Sequence, residues 1–349
     1  MNIKSVLFPA IVALTLSSCN NPVYDNEGDC EVKYHLRFIY DMNLKWADAF
    51  PSEVPSVNLY AFDKHGIFIR EYFADGVPLS SPDYIMELDL LPGDYTLVAW
   101  CGLGVGDPKN ESFNVTTPVV GQTSLDDFYC SLNTISGDGA TYSDSPLNFL
   151  YHGKIEVNLP DSQDGATFLY TMPLVKDTNH IRIILQQLST VDMDPSQYGF
   201  SISDANGVMA YDNAVVSEEE IEYLPWDVMA GEAGVGKEEN SGSASLVYVD
   251  GVIADLSTAR LLAGHEDSTL LTITEISTGR IIATVPLIHY ALLSKRYYEQ
   301  AYGHSMSDQE FLDREDEYIL TFFLDENNNW LDSSILIHSW RIILNNYSV

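Results

Sequence analysis

From Val32 the chain alternates: Val32, Tyr34, Leu36, Phe38 and Tyr40 fall on one face, with the basic Lys33, His35 and Arg37 between them. A period of two sends successive side chains to opposite sides, so this stretch is a strand with one face on a core. The pattern recurs at intervals of about ten residues with turn residues between, the spacing of a β-sandwich. Residues 56–63 and 67–73 flank Asp63-Lys64-His65-Gly66 as a hairpin, and 84–90 and 95–101 flank Pro92-Gly93-Asp94. Strand character returns over 149–159, 167–175 and 180–185, and 200–203 meets 208–211 through Asp204-Ala205-Asn206-Gly207. Further hairpins fall at Ser277-Thr278-Gly279 and 325–329, and 335–345 closes the chain as a last strand.

A length of 349 residues is near the limit of one core and argues for two domains. The polar stretch 160–165 is the place for the change, giving an N-terminal sandwich over 31–163 and a C-terminal one over 164–349. Similar acid-to-glycine turns at Asp63–Gly66 and Asp204–Gly207 fit two related units. Two helical signals interrupt the second half: 287–302 has helical spacing without Gly or Pro, and Ser307-Asp308-Gln309-Glu310 is a capping box. Residues 131–145 read as an exposed loop, and 231–245, rich in Gly, Glu and Ser, as a mobile one.

The amino terminus carries Lys4, an apolar run over 6–16, and then Leu16-Ser17-Ser18-Cys19. The run is too short to span a bilayer and reads as a secretory signal peptide, residues 1–18. Leu-Ser-Ser-Cys resembles the lipobox of bacterial lipoproteins. Cleavage between Ser18 and Cys19 would leave Cys19 lipidated, with 19–30 as a tether. Asn20, in place of the aspartate that retains lipoproteins in the inner membrane, favours the outer membrane.

With 17 basic and 51 acidic side chains the formal charge is −34, which excludes a nucleic-acid binder and disfavours electrostatic attachment to anionic lipid. An acyl anchor removes that difficulty, because it holds the chain by hydrophobic burial. Besides Cys19 there remain Cys30, Cys101 and Cys130, which permit at most one internal disulfide without specifying the pair. No CxxC spacing indicates a metal.

No constellation of catalytic residues stands out, and the sequence calls for no cofactor, metal or small-molecule substrate. His35, His180 and His338 lie in strands at no ligand spacing, and Asp126-Asp127 is an adjacent pair of the kind that 51 acids produce by chance. Asp325-Glu326-Asn327-Asn328-Asn329 offers oxygen ligands for calcium but lacks the full loop pattern, so a polar hairpin tip explains it more simply. Trp100 and Trp340 belong to apolar strands and the core, and Trp330 follows the hairpin tip.

An ordered set of motifs resembles the fimbrial anchor lipoproteins of the Bacteroides group, the FimB and minor-fimbria anchor type. It runs from Cys30 and Asp41-Met42-Asn43 through Val57–Asp63, Leu91–Thr96 and Leu150-Tyr151-His152-Gly153. It continues with Lys176–Asn179, Ile181-Arg182, Leu256–Leu261, Asp316-Glu317-Tyr318 and Ile337–Arg341. His338-Ser339 stands where asparagine and glycine are more usual. The resemblance implies an all-β chain of two tandem transthyretin-like, Greek-key sandwiches with a short helical insertion in the second. It also implies an outer-membrane lipid anchor, pilin subunits as partners, attachment by strand exchange and no enzymatic activity. Related pilins lose their first strand to a trypsin-like protease, whereas no Lys or Arg lies between Cys19 and Lys33 here, so this subunit is expected to keep its first strand and terminate the fibre. The closing segment, with Ile335, Ile337, Ile342 and Leu344, is the candidate pilin contact. The competing class is a surface glycan-binding lipoprotein built of similar sandwiches.

Overall fold

The computed structural model describes residues 32–105, 111–137, 139–161, 165–187, 193–238, 244–331, 334–337 and 340–343. The signal segment, Ser18, Cys19, Cys30, His338 and Leu344 lie outside the described residues.

Among the described residues the strands form five sheets. The first is β11 (Thr167–Pro173), β1 (Lys33–Ile39) and β4 (Met86–Leu88), in that order. In the second, β12 (Val175–Lys176), β10 (Tyr151–Leu159), β5 (Gly93–Cys101), β2 (Ser56–Asp63) and β3 (Phe68–Asp75) are neighbours. A six-stranded sheet follows: β17 (Asp227–Glu238), β18 (Ala244–Ala259), β13 (Thr178–Gln187), β21 (Glu317–Leu324), β22 (Ser334–Ile337) and β23 (Trp340–Ile343). The other six-stranded sheet is β20 (Arg280–Pro286), β19 (Leu270–Glu275), β14 (Tyr198–Asp204), β16 (Ile221–Tyr223), β9 (Ala140–Ser143) and β8 (Ile135–Gly137). The last comprises β15 (Val208–Ala210), β7 (Tyr129–Leu132) and β6 (Phe113–Val115). Helices are few: α1 (Phe50–Glu53), α2 (Leu287–Tyr302) and α3 (Asp308–Arg314). None of the described helices is long and apolar enough to cross a membrane.

The alternating segment at the start is β1, whose Tyr34, Leu36 and Phe38 are at most 3% exposed. They meet Leu59, Ala61, Leu97 and Ala99 of the five-stranded sheet to form the first core. The opposite face of that sheet is buried too. Tyr60, Phe62, Val98 and Trp100 pack with Phe128, Cys130 and Met209 in a core continuous with that of the second sandwich. A sheet covered on both faces loses its alternation, which is why Leu97–Cys101 is an unbroken apolar run.

Four expectations are corrected. Residues 131–145 hold the end of β7 and all of β8 and β9, which the first half lends to the second: β9 lies parallel to β16, and β7 pairs with β15. Residues 231–238 and 244–245 are strand, in the antiparallel ribbon β17–β18 that runs from the pair Asp227↔Asp255 to Glu238↔Ala244. The glycines there serve close approach, since a Cβ on Gly231 would meet Ile253 Cδ1 at 2.6 Å and one on Gly251 would meet the Leu185 carbonyl at 2.9 Å. The sheets of the first sandwich do not end at 163, because β11 pairs with β1 and β12 with β10, carrying them to Lys176. The closing strand is a hairpin, with Ile335 opposite Ile342 and Ile337 opposite Trp340.

Candidate functional site

Three places are built from residues that the sequence singled out: the first strand, the last hairpin, and the seam between the sandwiches. β1 is hydrogen-bonded on both sides, parallel to β11 over Lys33–Ile39 and antiparallel to β4 over Tyr34–Leu36. Extracting it would expose three large core side chains, roughly 1.5–3 kcal/mol each, and leave two bare strand edges.

The segment after β1 is tied to the second half of the chain. Asn43 Nδ2 donates to the carbonyls of Tyr40 (3.0 Å) and Ala47 (2.8 Å), and its Oδ1 accepts from Lys45 N at 3.0 Å. This folds Trp46 into a left-handed conformation at φ 53°. Arg314 holds it there: its guanidinium sits 3.5 Å from the centre of the Trp46 ring and donates to the carbonyls of Asp41 (3.0 Å) and Asn43 (3.2 Å). Arg314 is positioned by α3, whose Ser307 caps the Glu310 N–H at 3.0 Å, and by an ion pair with Glu310. The capping box read from the sequence therefore places the side chain that clamps the exit of β1.

Deeper in the seam lies a charged network. Arg260 binds Asp313 through both carboxylate oxygens (3.0 and 2.9 Å), donates to the Asn213 carbonyl at 2.6 Å, and stands 3.6 Å from Asp177. Asp177 is fully buried and accepts from Asn213 Nδ2 at 2.8 Å. Beside it Lys176 pairs with Asp316. His152, of the five-stranded sheet, meets the Tyr211 carbonyl at 3.0 Å and the Trp100 ring at 4.6 Å. Thus Asp41-Met42-Asn43, Leu150–Gly153, Lys176–Asn179, Leu256–Leu261 and Asp316–Tyr318, scattered in sequence, all contribute to this one seam. They fix how the two sandwiches meet.

Burial pushes the Asp177 carboxyl up to about 7, against the pull of Arg260 and Asn213. Burial likewise raises Glu315 to about 7. It lowers His152 to about 4. A carboxyl raised on folding stabilises fully below its unfolded value of 3.8, and that contribution is lost as the pH climbs through about 7. The histidine acts oppositely: its contribution is present above 6.5 and is lost as the pH falls through about 4. Asp177→Asn should therefore flatten stability between about pH 4 and 7, read as the urea midpoint against pH. A variant curve parallel to the parent would contradict this.

At the other end, β23, with Ile342, is the outer strand of its sheet among the described residues, whereas Ile335 and Ile337 lie on β22, between β21 and β23. The remaining sequence candidates for chemistry are structural. Cys101 and Cys130 are free buried thiols in different cores, both raised by burial. The Asp325 carboxylate is taken up by Asn327 N and Asn329 N (both 2.8 Å), while Arg280 bonds the Asn327 and Asn328 carbonyls and Asn329 Oδ1. A guanidinium thus occupies the oxygens a cation would need. Trp100 is core, and Trp330 packs edge-on against Phe322 at 5.6 Å. No cluster of metal-ligating side chains occurs among the described residues.

The chain is an all-β double sandwich whose halves share strands, with β1 paired on both edges. The chain belongs to the family of fimbrillin-A associated anchor proteins Mfa1 and Mfa2, whose model matches residues 26–346. It is 26% identical over 311 residues to the minor fimbrium anchoring subunit Mfa2 of Porphyromonas gingivalis, covering 85% of this chain and 84% of that one. A crystal structure of a candidate adhesin from Bacteroides thetaiotaomicron is 31% identical, with TM-score 0.75 over 89% of this chain and 97% of that one. The fimbrial anchor protein Mfa2 from Porphyromonas gingivalis shares the fold at TM-score 0.62 and 21% identity, covering 90% and 99%. The role is fimbria-associated, in a family of structural proteins and not of enzymes.

Proposed function

We propose that this chain is an outer-membrane lipoprotein, acylated at Cys19, that anchors fimbriae to the cell surface and terminates the pilin polymer by strand exchange without catalysis. The observation that carries the reading is the filled and clamped slot of β1. A pilin strand can add only where a slot or an edge is free. With β1 bonded on both sides and its exit held by Arg314, the first sandwich accepts no incoming strand, so polymerisation stops at this subunit. The contact with pilin then falls to the other end, where Ile342 lies on the outer strand and Leu344 continues the chain beyond the described residues.

Protease digestion tests the retained strand. Between Cys19 and Lys33 a Lys/Arg-specific protease has no site, and the bond after the exposed Lys45 lies inside the segment locked by Asn43 and Arg314. Native digestion of the chain extracted from fibre-bearing cells should leave β1 attached, seen by sequencing the amino terminus and weighing the products. Finding the functional protein already cut after Lys45, with β1 gone, would overturn the proposal.

A further inference from the structure

We infer that the outer face of β1 lies against the phosphate headgroups of the bilayer and sets how the anchored body stands on the membrane. This rests on the acylation of Cys19 proposed above and adds a particular face to it. β1 turns Tyr34, Leu36 and Phe38 into the first core, so Lys33, His35 and Arg37 point the other way, three basic side chains along one face of one strand. In a chain with 51 acidic and 17 basic side chains such a run stands apart. Elsewhere bases are taken up by acids of the fold, as in Lys176–Asp316, Arg182–Asp255, Arg260–Asp313 and Arg314–Glu310, whereas Arg37 is exposed.

The neighbouring strands complete the face. β11, parallel to β1, sets Thr167 beside Lys33, Leu169 beside His35 and Thr171 beside Arg37. All three are exposed, Leu169 at 57%. On the other side Glu87 of β4 stands opposite His35, and Ile85, one residue before β4, is 43% exposed. The face therefore carries the charges of Lys33 and Arg37 against the single acid Glu87, with two exposed aliphatic side chains beside them. Basic groups interleaved with aliphatic ones match a bilayer surface, where the cations meet phosphates and the aliphatic groups reach the acyl boundary.

The acid excess of the whole body does not cancel this attraction at contact. At physiological ionic strength a charge is felt over about 8 Å, so acids on distant faces act weakly on a headgroup that touches the stripe. Each Lys or Arg at an anionic surface favours that orientation about fivefold, far less than an acyl anchor supplies. The stripe thus does not hold the protein on the membrane; it decides which face lies down. Chain length agrees, since Lys33 comes fourteen positions after Cys19, at most about 50 Å of fully extended backbone, and β1 is the first strand reached from the anchor.

Shielding of one position on this face tests the inference. The full chain, extracted from cells in a Cys30→Ser background because Cys101 and Cys130 are buried, receives Thr171→Cys on the face or Asp267→Cys at an exposed turn of the second sandwich. Each is reconstituted on phosphatidylglycerol or phosphatidylcholine vesicles and timed with a neutral, water-soluble maleimide. Thr171→Cys should react about tenfold more slowly on the anionic vesicles than on the zwitterionic ones, and Asp267→Cys equally fast on both. Arg37→Gln should recover about fivefold of the slowed rate, Leu169→Ser should recover part of it, and 0.5 M salt should recover it while the protein stays on the vesicles. Equal rates for Thr171→Cys on both lipids overturn the inference. So does a rate slowed on both, which would mean that the acidic tether residues Asp25, Glu27, Asp29 and Glu31 cover the stripe, and so does a slowed rate that neither salt nor either variant restores. The mass of the same preparation separates the two readings: a chain without acyl groups overturns the anchoring proposal and this inference with it, whereas an acylated chain with an unshielded Thr171→Cys overturns this inference alone.

Discussion

Arg260→Ala should lower the stability of the folded chain by about 3–5 kcal/mol, the usual cost of removing one partner from a buried ion pair. The guanidinium faces Asp313 and Asp177 together and closes the seam through the Asn213 carbonyl, so its loss leaves two carboxylates and a carbonyl without their cation. Asp177 is fully buried and would be driven further toward its neutral form. Urea unfolding at neutral pH should report the loss as an earlier midpoint, and thermal unfolding as a fall on the order of 10 °C. Arg260→Lys keeps the charge without the two-point fit to Asp313 and should fall between the two. The double variant Arg260→Ala with Asp177→Asn should be less damaged than the sum of the singles, because the second change removes the charge stranded by the first. Additive losses would mean that Arg260 acts through packing and that the network does not bind the sandwiches together.

Local signals in the sequence located local structure. The period of two gave β1 to within a residue or two, the hairpin β2–β3 has its turn at Asp63–Gly66, and α2 spans the whole of the expected helical segment. The capping box at Ser307 starts α3 as read, although its role in clamping the segment after β1 depends on residues more than 260 positions away. What escaped was pairing over long distances. A polar stretch such as 131–145 looks like a loop because its side chains face water, and nothing local says that its backbone will join strands of the other half. Glycine in 231–245 looked like freedom, whereas at Gly231 it admits the Ile253 side chain. The unbroken run Leu97–Cys101 is the one local mark of a strand covered on both faces, and hence of a sheet shared between two cores.

The seam itself was half legible. Its residues stood out as the motifs that carried the family resemblance, yet their common purpose is visible only when Asp41–Asn43, Lys176-Asp177, Arg260 and Asp313–Asp316 come together in space. They hold the joint between the sandwiches. On the proposed function, such a joint would carry fibre tension between a lipid-bearing end and a pilin-bearing end.

On the proposed function, the largest effect of a single substitution falls at Cys19. Membrane residence would, on that function, rest on acyl chains at Cys19, because a body at −34 has no electrostatic reason to stay on an anionic surface. Each buried CH₂ contributes about 0.8 kcal/mol, and a single chain binds only marginally, so retention needs the full set that a lipobox cysteine receives. On that reading Cys19→Ala should remove all of it, with the urea midpoint of the folded chain unchanged. The decisive measurement is the partition of fimbriae between washed cells and medium in a strain whose only copy of the gene carries Cys19→Ala. The account predicts that most fimbriae move into the medium with a folded anchor subunit on them. Fimbriae that stay on the cells at the parental level, with the variant present and unacylated, would contradict it.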